Sequence, residues 1–177
     1  MNANKKLVLP IARRDHVQGP VNAPFSLVEY GDYQCPYCRE AHSVIKELQE
    51  VMGKDLCFAY RNFPLTQIHP NAEHAAEAAE AAETQGHFWE MHDILFEHQN
   101  ALEDEDLVEY ADEAGLDSGR MMDEVLHGAY SGHIRLDLQS GEKNGVDGTP
   151  VFFINGLRYD GEPSAKALMA ALTGQPA

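Results

Sequence analysis

Hydrophobic and polar positions along the chain predict a strand, a helix and a second strand in its first third. Residues 25–30 have the composition of a buried strand, and from residue 36 to residue 52 apolar positions recur with helical spacing. Gly53 then supplies a helix stop signal, and residues 56–60 predict the second strand. Because the connection between the two strands is long enough for parallel pairing, these segments predict a βαβ unit.

The middle of the chain has an almost continuous helical pattern after Pro64. It predicts five helices, near residues 71–84, 88–98, 104–114, 118–128 and 132–144. Between residues 72 and 82, alanine pairs alternate with glutamates, which indicates a strong helix former. We expect this helix to pack through its alanines and to present a solvated, charged face.

The last third returns to strands. Residues 151–154 predict a strand, Asn155-Gly156 is a strong hairpin-turn signal, and residues 157–159 predict the partner strand. Ser164 is expected to begin a final helix through residue 172. Residues 1–24 show little periodicity and are expected to be irregular. We therefore predict an α/β fold with an irregular arm at 1–14 and a single domain at 15–177, which contains a helical insertion at about 66–145.

Composition and charge narrow the function classes. The chain has 177 residues, of which 44% are hydrophobic and 24% charged, as is typical of a folded globular protein. Asp and Glu outnumber Lys and Arg by 29 to 13, so we expect neither nucleic acid nor membrane partners. No apolar run approaches the roughly 20 residues of a transmembrane helix. Pro10 and the arginines at 13 and 14 interrupt the N-terminal apolar segment, so we expect no export signal and a cytoplasmic location.

The cysteines carry the clearest chemical signal. Cys35 and Cys38 form a Cys-x-x-Cys pair where the first strand turns into the first helix. Backbone N–H groups and the helix dipole stabilise a thiolate at Cys35, and Pro36 suits the first helical turn. Cys38 lies one turn further and is expected to be the buried, resolving thiol of a thiol–disulfide exchange reaction. Cys57, within a predicted strand, is expected to be a buried small hydrophobic residue.

Zinc binding is the alternative chemistry for the cysteine pair. Two cysteines supply half of a tetrahedral zinc site, which would make the chain a zinc-binding or partner-docking module with structural cysteines. The histidines that could complete such a site are His69, His74, His87, His92 and His98. They lack a compact second ligand pair, so we expect most histidines to lie at the surface or to be hydrogen-bonded in the core. We therefore predict no metal and no cofactor, since the dithiol itself carries the two electrons.

Several segments together carry a family resemblance. The strand at 26–30, the sequence Gly-Asp-Tyr-Gln-Cys-Pro-Tyr-Cys at 31–38, the helical block and Gly-Thr-Pro-Val-Phe-Phe-Ile-Asn-Gly at 148–156 resemble the DsbA-like thioredoxin-fold oxidoreductases. The resemblance extends from about residue 15 to the C-terminus and implies a thioredoxin fold with an α-helical insertion. The chain is also similar to the thioredoxin-like domain fused to some bacterial sodium/proton antiporters. Because glutaredoxins share Cys-Pro-Tyr-Cys, glutaredoxin-like, glutathione-dependent activity stays open as an alternative.

The resemblance also implies roles for residues outside the cysteine pair. Pro150 would be a cis-proline that faces the cysteines, and Thr149 would offer its backbone to a bound polypeptide. Pro36 and Tyr37 are assigned to the same substrate-binding surface. Glu29 matches a buried acid that the family often places below the cysteines.

A buried carboxyl group at Glu29 would have a raised pKa and could exchange a proton with Cys38. A salt-bridged or half-exposed structural glutamate is the alternative. The expected partners are a protein or small-thiol disulfide substrate and an electron donor or acceptor that the sequence does not identify. Because cytosolic glutathione poises thiols near about −220 to −320 mV, we do not expect net oxidation of folding substrates.

Overall fold

The computed structural model describes residues 6–175 as helices packed around one five-stranded sheet. The strands are β1 (His16–Gln18), β2 (Phe25–Gly31), β3 (Leu56–Asn62), β4 (Val151–Ile154) and β5 (Leu157–Tyr159). Their spatial order is β1-β3-β2-β4-β5. β2 and β3 pair in parallel, whereas the other neighbouring strands pair antiparallel. The predicted α/β class is confirmed.

Seven α-helices and one short 3₁₀ helix (Gly53–Asp55) complete the described part of the chain. The α-helices are α1 (Pro36–Met52), α2 (Ala72–Thr84), α3 (Phe88–Glu97), α4 (Asp104–Glu113), α5 (Ser118–Leu126), α6 (Ser131–Lys143) and α7 (Ala165–Thr173). The βαβ unit and the five helices between β3 and β4 are confirmed, since each of those five begins and ends within two residues of its predicted bounds. Within residues 6–175, no helix combines the length and apolar character needed to cross a bilayer.

The C-terminal hairpin and helix also follow their local signals. Asn155 and Gly156 both have positive φ, at 49° and 79°, as a tight two-residue hairpin turn requires. The Asn155 Oδ1 accepts a hydrogen bond of 2.9 Å from the Ser26 backbone N–H, which ties the turn to β2. Ser164 caps α7 by accepting a hydrogen bond of 3.3 Å from the Ala167 N–H.

The segment expected to be irregular contains a strand. β1 pairs with β3 so that His16 lies opposite Tyr60, and Lys6 forms an isolated β-bridge with Leu157. The expectation for residues 1–24 was therefore wrong at β1, because a three-residue strand is too short to show periodicity and its pairing partner is distant in sequence. Residues 1–5 of the predicted arm, and residues 176–177, lie outside the described residues.

The alanine-rich helix α2 is buried, which corrects the expectation of a solvated, charged face. Its alanines are almost inaccessible, and it packs against α3, α4, α5 and α6. Glu77 is 1% exposed and accepts a hydrogen bond of 2.8 Å from the Tyr130 backbone N–H, and Glu80 accepts one of 2.7 Å from Asn62 Nδ2. Small side chains let four helices approach α2, and hydrogen bonds keep its glutamates inside.

Enlarging an α2 alanine should therefore destabilise the fold. We expect Ala79→Leu to lower the free energy of unfolding by about 1–3 kcal/mol, because Ala79 is fully buried among other helices. The measurement is urea unfolding followed by Trp89 fluorescence and circular dichroism. Ala171→Leu, on the exposed side of α7, is the matched control and should change stability by less than about 0.5 kcal/mol. Equal effects of the two substitutions would contradict the burial of α2.

Candidate active site

The cysteine pair lies where β2 turns into α1. Cys35 is the N-cap residue of α1, and its backbone N–H donates a hydrogen bond of 3.1 Å to the Asp32 carbonyl. Pro36 occupies the first helical position and is exposed, and Tyr37 is 68% exposed. Cys35 is 4% exposed, whereas Cys38, one turn along the helix, is completely buried. Both are free thiols, and they contact each other through a side-chain hydrogen bond.

The surroundings of Cys35 favour its thiolate. The hydrogen bond from the Cys38 thiol makes the largest contribution, and burial acts in the opposite direction. The backbone N–H groups of Cys38 and Tyr37 stabilise the thiolate further. The net effect lowers the pKa of Cys35 from 9.0 to about 5. At neutral pH Cys35 is therefore ionised, which is the nucleophilic form of a cysteine.

Cys38 and Glu29 are shifted in the opposite direction. Burial raises the pKa of Cys38 well above its ordinary value, and its hydrogen bond to Cys35 and the negative charge of Glu29 raise it further. Glu29 is 1% exposed, and burial followed by the charge of Cys35 raises its pKa to about 8. Its Oε1 has no hydrogen-bond partner among residues 6–175. Glu29 is thus a buried acid near the cysteines, rather than a salt-bridged or half-exposed residue.

The Thr149–Pro150 segment lies directly opposite Cys35. Its peptide bond is cis, and the Thr149 carbonyl oxygen lies 3.4 Å from Cys35 Sγ. A groove of about 610 Å³ begins beside this contact and runs between α1 and the β4–β5 hairpin. Its walls include Tyr37, Glu40, Ala41, Val44, Thr149, Pro150 and residues 158–164. The groove therefore reaches Thr149, which contacts Cys35, although neither cysteine is among its lining residues.

Asp32, which the sequence analysis did not single out, holds the loop before Cys35. Its Oδ1 accepts a hydrogen bond of 2.7 Å from the Gln34 N–H, and its Oδ2 accepts one of 2.7 Å from the Leu65 N–H. The Oδ2 also lies 2.8 Å from Nδ1 of His69. Part of this arrangement is predictable from the sequence, because an aspartate that follows a strand commonly accepts a hydrogen bond from the backbone N–H two residues later.

Gln99 is a second residue that the sequence analysis missed. It lies between α3 and α4, and its Nε2 donates hydrogen bonds to the carbonyl oxygens of Tyr33, at 2.8 Å, and Cys35, at 2.7 Å. Gln99 is 8% exposed, so it joins the helical block to the cysteine loop from inside the protein. No local pattern marks it, because its two acceptors lie more than sixty residues away along the chain.

Among residues 6–175, no zinc ligand set surrounds the cysteines. His69, one of the candidate ligands, contacts Asp32 instead. Within residues 6–175, the two groups of three or more potential ligands contain neither Cys35 nor Cys38. Cys57 lies in β3 and is 1% exposed, as expected of a buried small residue.

Comparison with known sequences identifies the family to which this chain is related. Residues 12–173 match the protein family described as Thioredoxin. Na(+)/H(+) antiporter NhaA 3 of Salinispora tropica is 44% identical over 167 residues, which cover 94% of this chain and 26% of that protein. NhaA 1 of Mycolicibacterium vanbaalenii is 42% identical over 170 residues, which cover 94% of this chain and 28% of that protein. The chain therefore spans only about a quarter of the length of these curated relatives.

Solved structures show the same architecture. A thioredoxin-like oxidoreductase from Silicibacter pomeroyi has a TM-score of 0.82 and 26% identity, with 92% of both chains covered. Oxidised BdbD from Bacillus subtilis has a TM-score of 0.86 and 20% identity, covering 97% of this chain and 96% of its own. The thiol-disulfide exchange protein alpha-DsbA2 from Wolbachia pipientis has a TM-score of 0.81 and 20% identity, with coverages of 92% and 87%. The chain belongs to the thioredoxin family, and its fold is the DsbA-like thioredoxin fold with a helical insertion.

Proposed function

We propose that this chain is a thiol–disulfide oxidoreductase that uses Cys35 and Cys38 on protein or small-thiol substrates. The observation that carries the proposal is the opposite tuning of two thiols in contact, with the pKa of Cys35 lowered to about 5 and that of Cys38 raised. The ionised Cys35, which contacts the groove residue Thr149, attacks first. A buried, protonated thiol beside it is held back until the mixed disulfide has formed.

The reaction balances with these two thiols alone. The Cys35 thiolate attacks one sulfur of a substrate disulfide and forms a mixed disulfide, and the other substrate sulfur leaves as a thiolate that takes up a proton. Cys38 then loses its proton and attacks Cys35 Sγ, which breaks the mixed disulfide and releases the second substrate thiol. The substrate gains two electrons and two protons, and Cys35 and Cys38 are left as a disulfide. The reverse sequence oxidises a dithiol, and a partner that donates or accepts electrons recycles the pair.

Glu29 is proposed to move the proton of Cys38. A carboxyl group with a pKa of about 8 exchanges its proton readily near neutral pH, and burial shields it from bulk water. The ionised form of Glu29 accepts the proton when Cys38 attacks, and the protonated form returns it in the reverse reaction. Because Glu29 raises the pKa of Cys38 through its charge, the two groups are close enough to be electrostatically coupled.

Thr149, Pro150, Pro36 and Tyr37 are proposed to bind the substrate. Pro36 and Tyr37 are exposed at the start of α1, the Thr149 carbonyl contacts Cys35, and Thr149 and Pro150 both line the groove. A polypeptide in the groove can pair with the backbone at Thr149 and present its cysteine sulfur to Cys35. We further propose that residues 15–177 act as one unit. The cytoplasmic location expected from the sequence stays a prediction.

Substitution of the two cysteines should separate their roles. We expect Cys35→Ser to abolish disulfide exchange, because it removes the nucleophile, and Cys38→Ser to accumulate a mixed disulfide. The measurement is reduction of insulin disulfides, followed by acid quenching and mass spectrometry of the trapped adduct. Cys57→Ala is the matched control and should retain activity. Normal turnover by Cys38→Ser would contradict the proposed division of labour.

The reactivity of Cys35 should follow its lowered pKa. In the reduced protein we expect iodoacetamide alkylation of Cys35 to be half-maximal near pH 5. In Cys38→Ala, which removes the thiol donor, the midpoint should move upward. The pKa of Cys35 is lower in the folded than in the unfolded protein, so ionisation of Cys35 stabilises the reduced, folded protein at alkaline pH. This contribution to stability is lost as the pH falls to about 5. A midpoint near the ordinary value of 9.0 would contradict this assignment.

Replacement of Glu29 should slow the resolving step. We expect Glu29→Gln to reduce the rate of the resolving step at least about 10-fold. A positioned proton-transfer group typically contributes about 10²–10⁴-fold to a rate, so this expectation is a lower bound. Stopped-flow mixing of the preformed mixed disulfide, over a range of pH, measures this step. The wild type should show an inflection that Glu29→Gln lacks. It should lie below about pH 8, because Cys35, whose charge helps to raise the pKa of Glu29, is uncharged in the mixed disulfide.

Glu47→Gln, an exposed substitution on α1, is the control for the loss of one negative charge and should keep the inflection. In Glu29→Gln the pKa of Cys38 should fall even as the rate falls, because a repelling charge is removed. If the rate and the pH profile are both unchanged, Glu29 has only a structural role.

A further inference from the structure

A second cluster of titratable side chains lies where β1, α2 and α6 meet. His16 Nε2 of β1 lies 2.9 Å from Glu80 Oε1 of α2, and His133 Nδ1 of α6 lies 2.9 Å from Glu80 Oε2. His16 and Glu80 are buried, and the His133 side chain is 27% exposed. None of the three lines the groove beside the cysteines. Two imidazoles and one carboxylate, from three elements that are distant in sequence, thus lie in contact with one another.

Surrounding groups orient each member of the cluster. The His16 ring stacks on Phe88 with the ring centroids 3.6 Å apart, and its Nδ1 lies 3.6 Å from a carboxylate oxygen of Glu83. Asn62 Nδ2 donates a hydrogen bond of 2.7 Å to Glu80 Oε1. A carboxylate on the second ring nitrogen of a histidine is the usual partner of metal-binding imidazoles, because it fixes the tautomer and the ring orientation.

One side of the cluster opens into a cavity of about 260 Å³, which has room for water. The charged side chains that line it, besides the cluster itself, are Arg13, Arg14, Asp15 and Glu83. Arg14 does not neutralise Glu80, because its Nη1 contacts Asp137 at 3.1 Å. Because Asp15 is paired with Arg61, and Arg14 with Asp137, the carboxylates of Glu80 and Glu83 face only the guanidinium group of Arg13 around the cavity, a balance that favours a cation.

We propose that His16, Glu80 and His133 bind a divalent transition-metal ion of the zinc class, with a water molecule from the cavity as the fourth ligand. Two imidazole nitrogens, a carboxylate oxygen and an open position form a common donor set for tetrahedral Zn²⁺. Ligand atoms about 2.0–2.2 Å from the ion lie roughly 3.3–3.5 Å from one another. The His16 Nε2–Glu80 Oε1 contact of 2.9 Å needs to open by only a few tenths of an ångström. His133 contacts the other oxygen of Glu80, and because one ligand atom from each of the three residues lies within 4.8 Å of the others, a small side-chain rotation brings it to the same ion.

A second cluster with similar donors lacks this capacity, which sharpens the proposal. His42, His92 and Asp93 also bring potential ligand atoms together. Asp93, however, already carries the ammonium group of Lys46, and His92 Nδ1 is hydrogen-bonded to the Tyr33 hydroxyl at 3.0 Å. Glu80, in contrast, contacts two histidines and an amide and no lysine or arginine within residues 6–175. Of the two clusters, only this one offers a carboxylate that contacts neither an ammonium nor a guanidinium group within residues 6–175.

The test is Zn²⁺ binding to the full chain with Cys35 and Cys38 oxidised to a disulfide, so that the thiol pair cannot compete for the metal. We expect one Zn²⁺ per chain by equilibrium dialysis, and a rise in the midpoint of thermal unfolding with added Zn²⁺. His133→Gln, which removes one ligand at the least buried position, should weaken binding more than about 100-fold, beyond the effect typical of outer-sphere partners.

His74→Gln is the matched control, since His74 also contacts a carboxylate, Asp104, at 2.7 Å but lies outside the cluster. It should bind Zn²⁺ like the wild type. If His133→Gln does not fold, Co²⁺ added to the oxidised wild type decides the matter through a tetrahedral d–d spectrum without a thiolate charge-transfer band. Absence of binding by the oxidised wild type, undiminished binding by a folded His133→Gln, or a thiolate band would overturn the proposal.

Discussion

Carboxylates inside this acidic chain have to be paired or protonated, and that requirement links the fold to the candidate active site. Asp15, just before β1, is bound by Arg61 of β3, with Nε 2.7 Å from Oδ1. Asp137 of α6 accepts hydrogen bonds of 3.1 Å from Arg14 and from the backbone N–H of Asn62. These pairs attach the N-terminal segment and the last helix of the insertion to the sheet. Each buried negative charge thus brings together two segments that are distant in sequence.

The same constraint has two different outcomes beside the cysteines. The carboxylate of Asp32 accepts two backbone hydrogen bonds and contacts His69. These contacts hold the loop that leads to Cys35. Glu29 lies three residues earlier, and one of its oxygens has no partner among the described residues. Burial therefore raises the pKa of Glu29 to about 8, which makes it a proton carrier in the proposed mechanism. Glu29 lies within β2 and Asp32 follows it, so the two carboxyl groups differ in the hydrogen-bond donors within their reach.

The helical insertion supports the loop that leads to Cys35 through hydrogen bonds. Gln99 holds the carbonyl groups of Tyr33 and Cys35, and the Asn71 N–H, at the start of α2, donates a hydrogen bond of 2.8 Å to Gln34 Oε1. The loop between β2 and α1 is therefore held both by the sheet and by the insertion. This double support keeps the first turn of α1 in the position that lowers the pKa of Cys35.

The sequence by itself determined the helix that begins at Pro36, the hairpin turn at Asn155-Gly156, the helices of the insertion and the place of both cysteines at a strand-to-helix junction. These features depend on periodicity, turn chemistry and capping within a few neighbouring residues. Only the tertiary structure decided the pairing of β1, the burial of α2, the isolation of Glu29 and the contact of the Thr149 carbonyl with Cys35. The physical reason is that a local pattern sets the backbone conformation, whereas the partner of a buried polar group comes from segments many residues away.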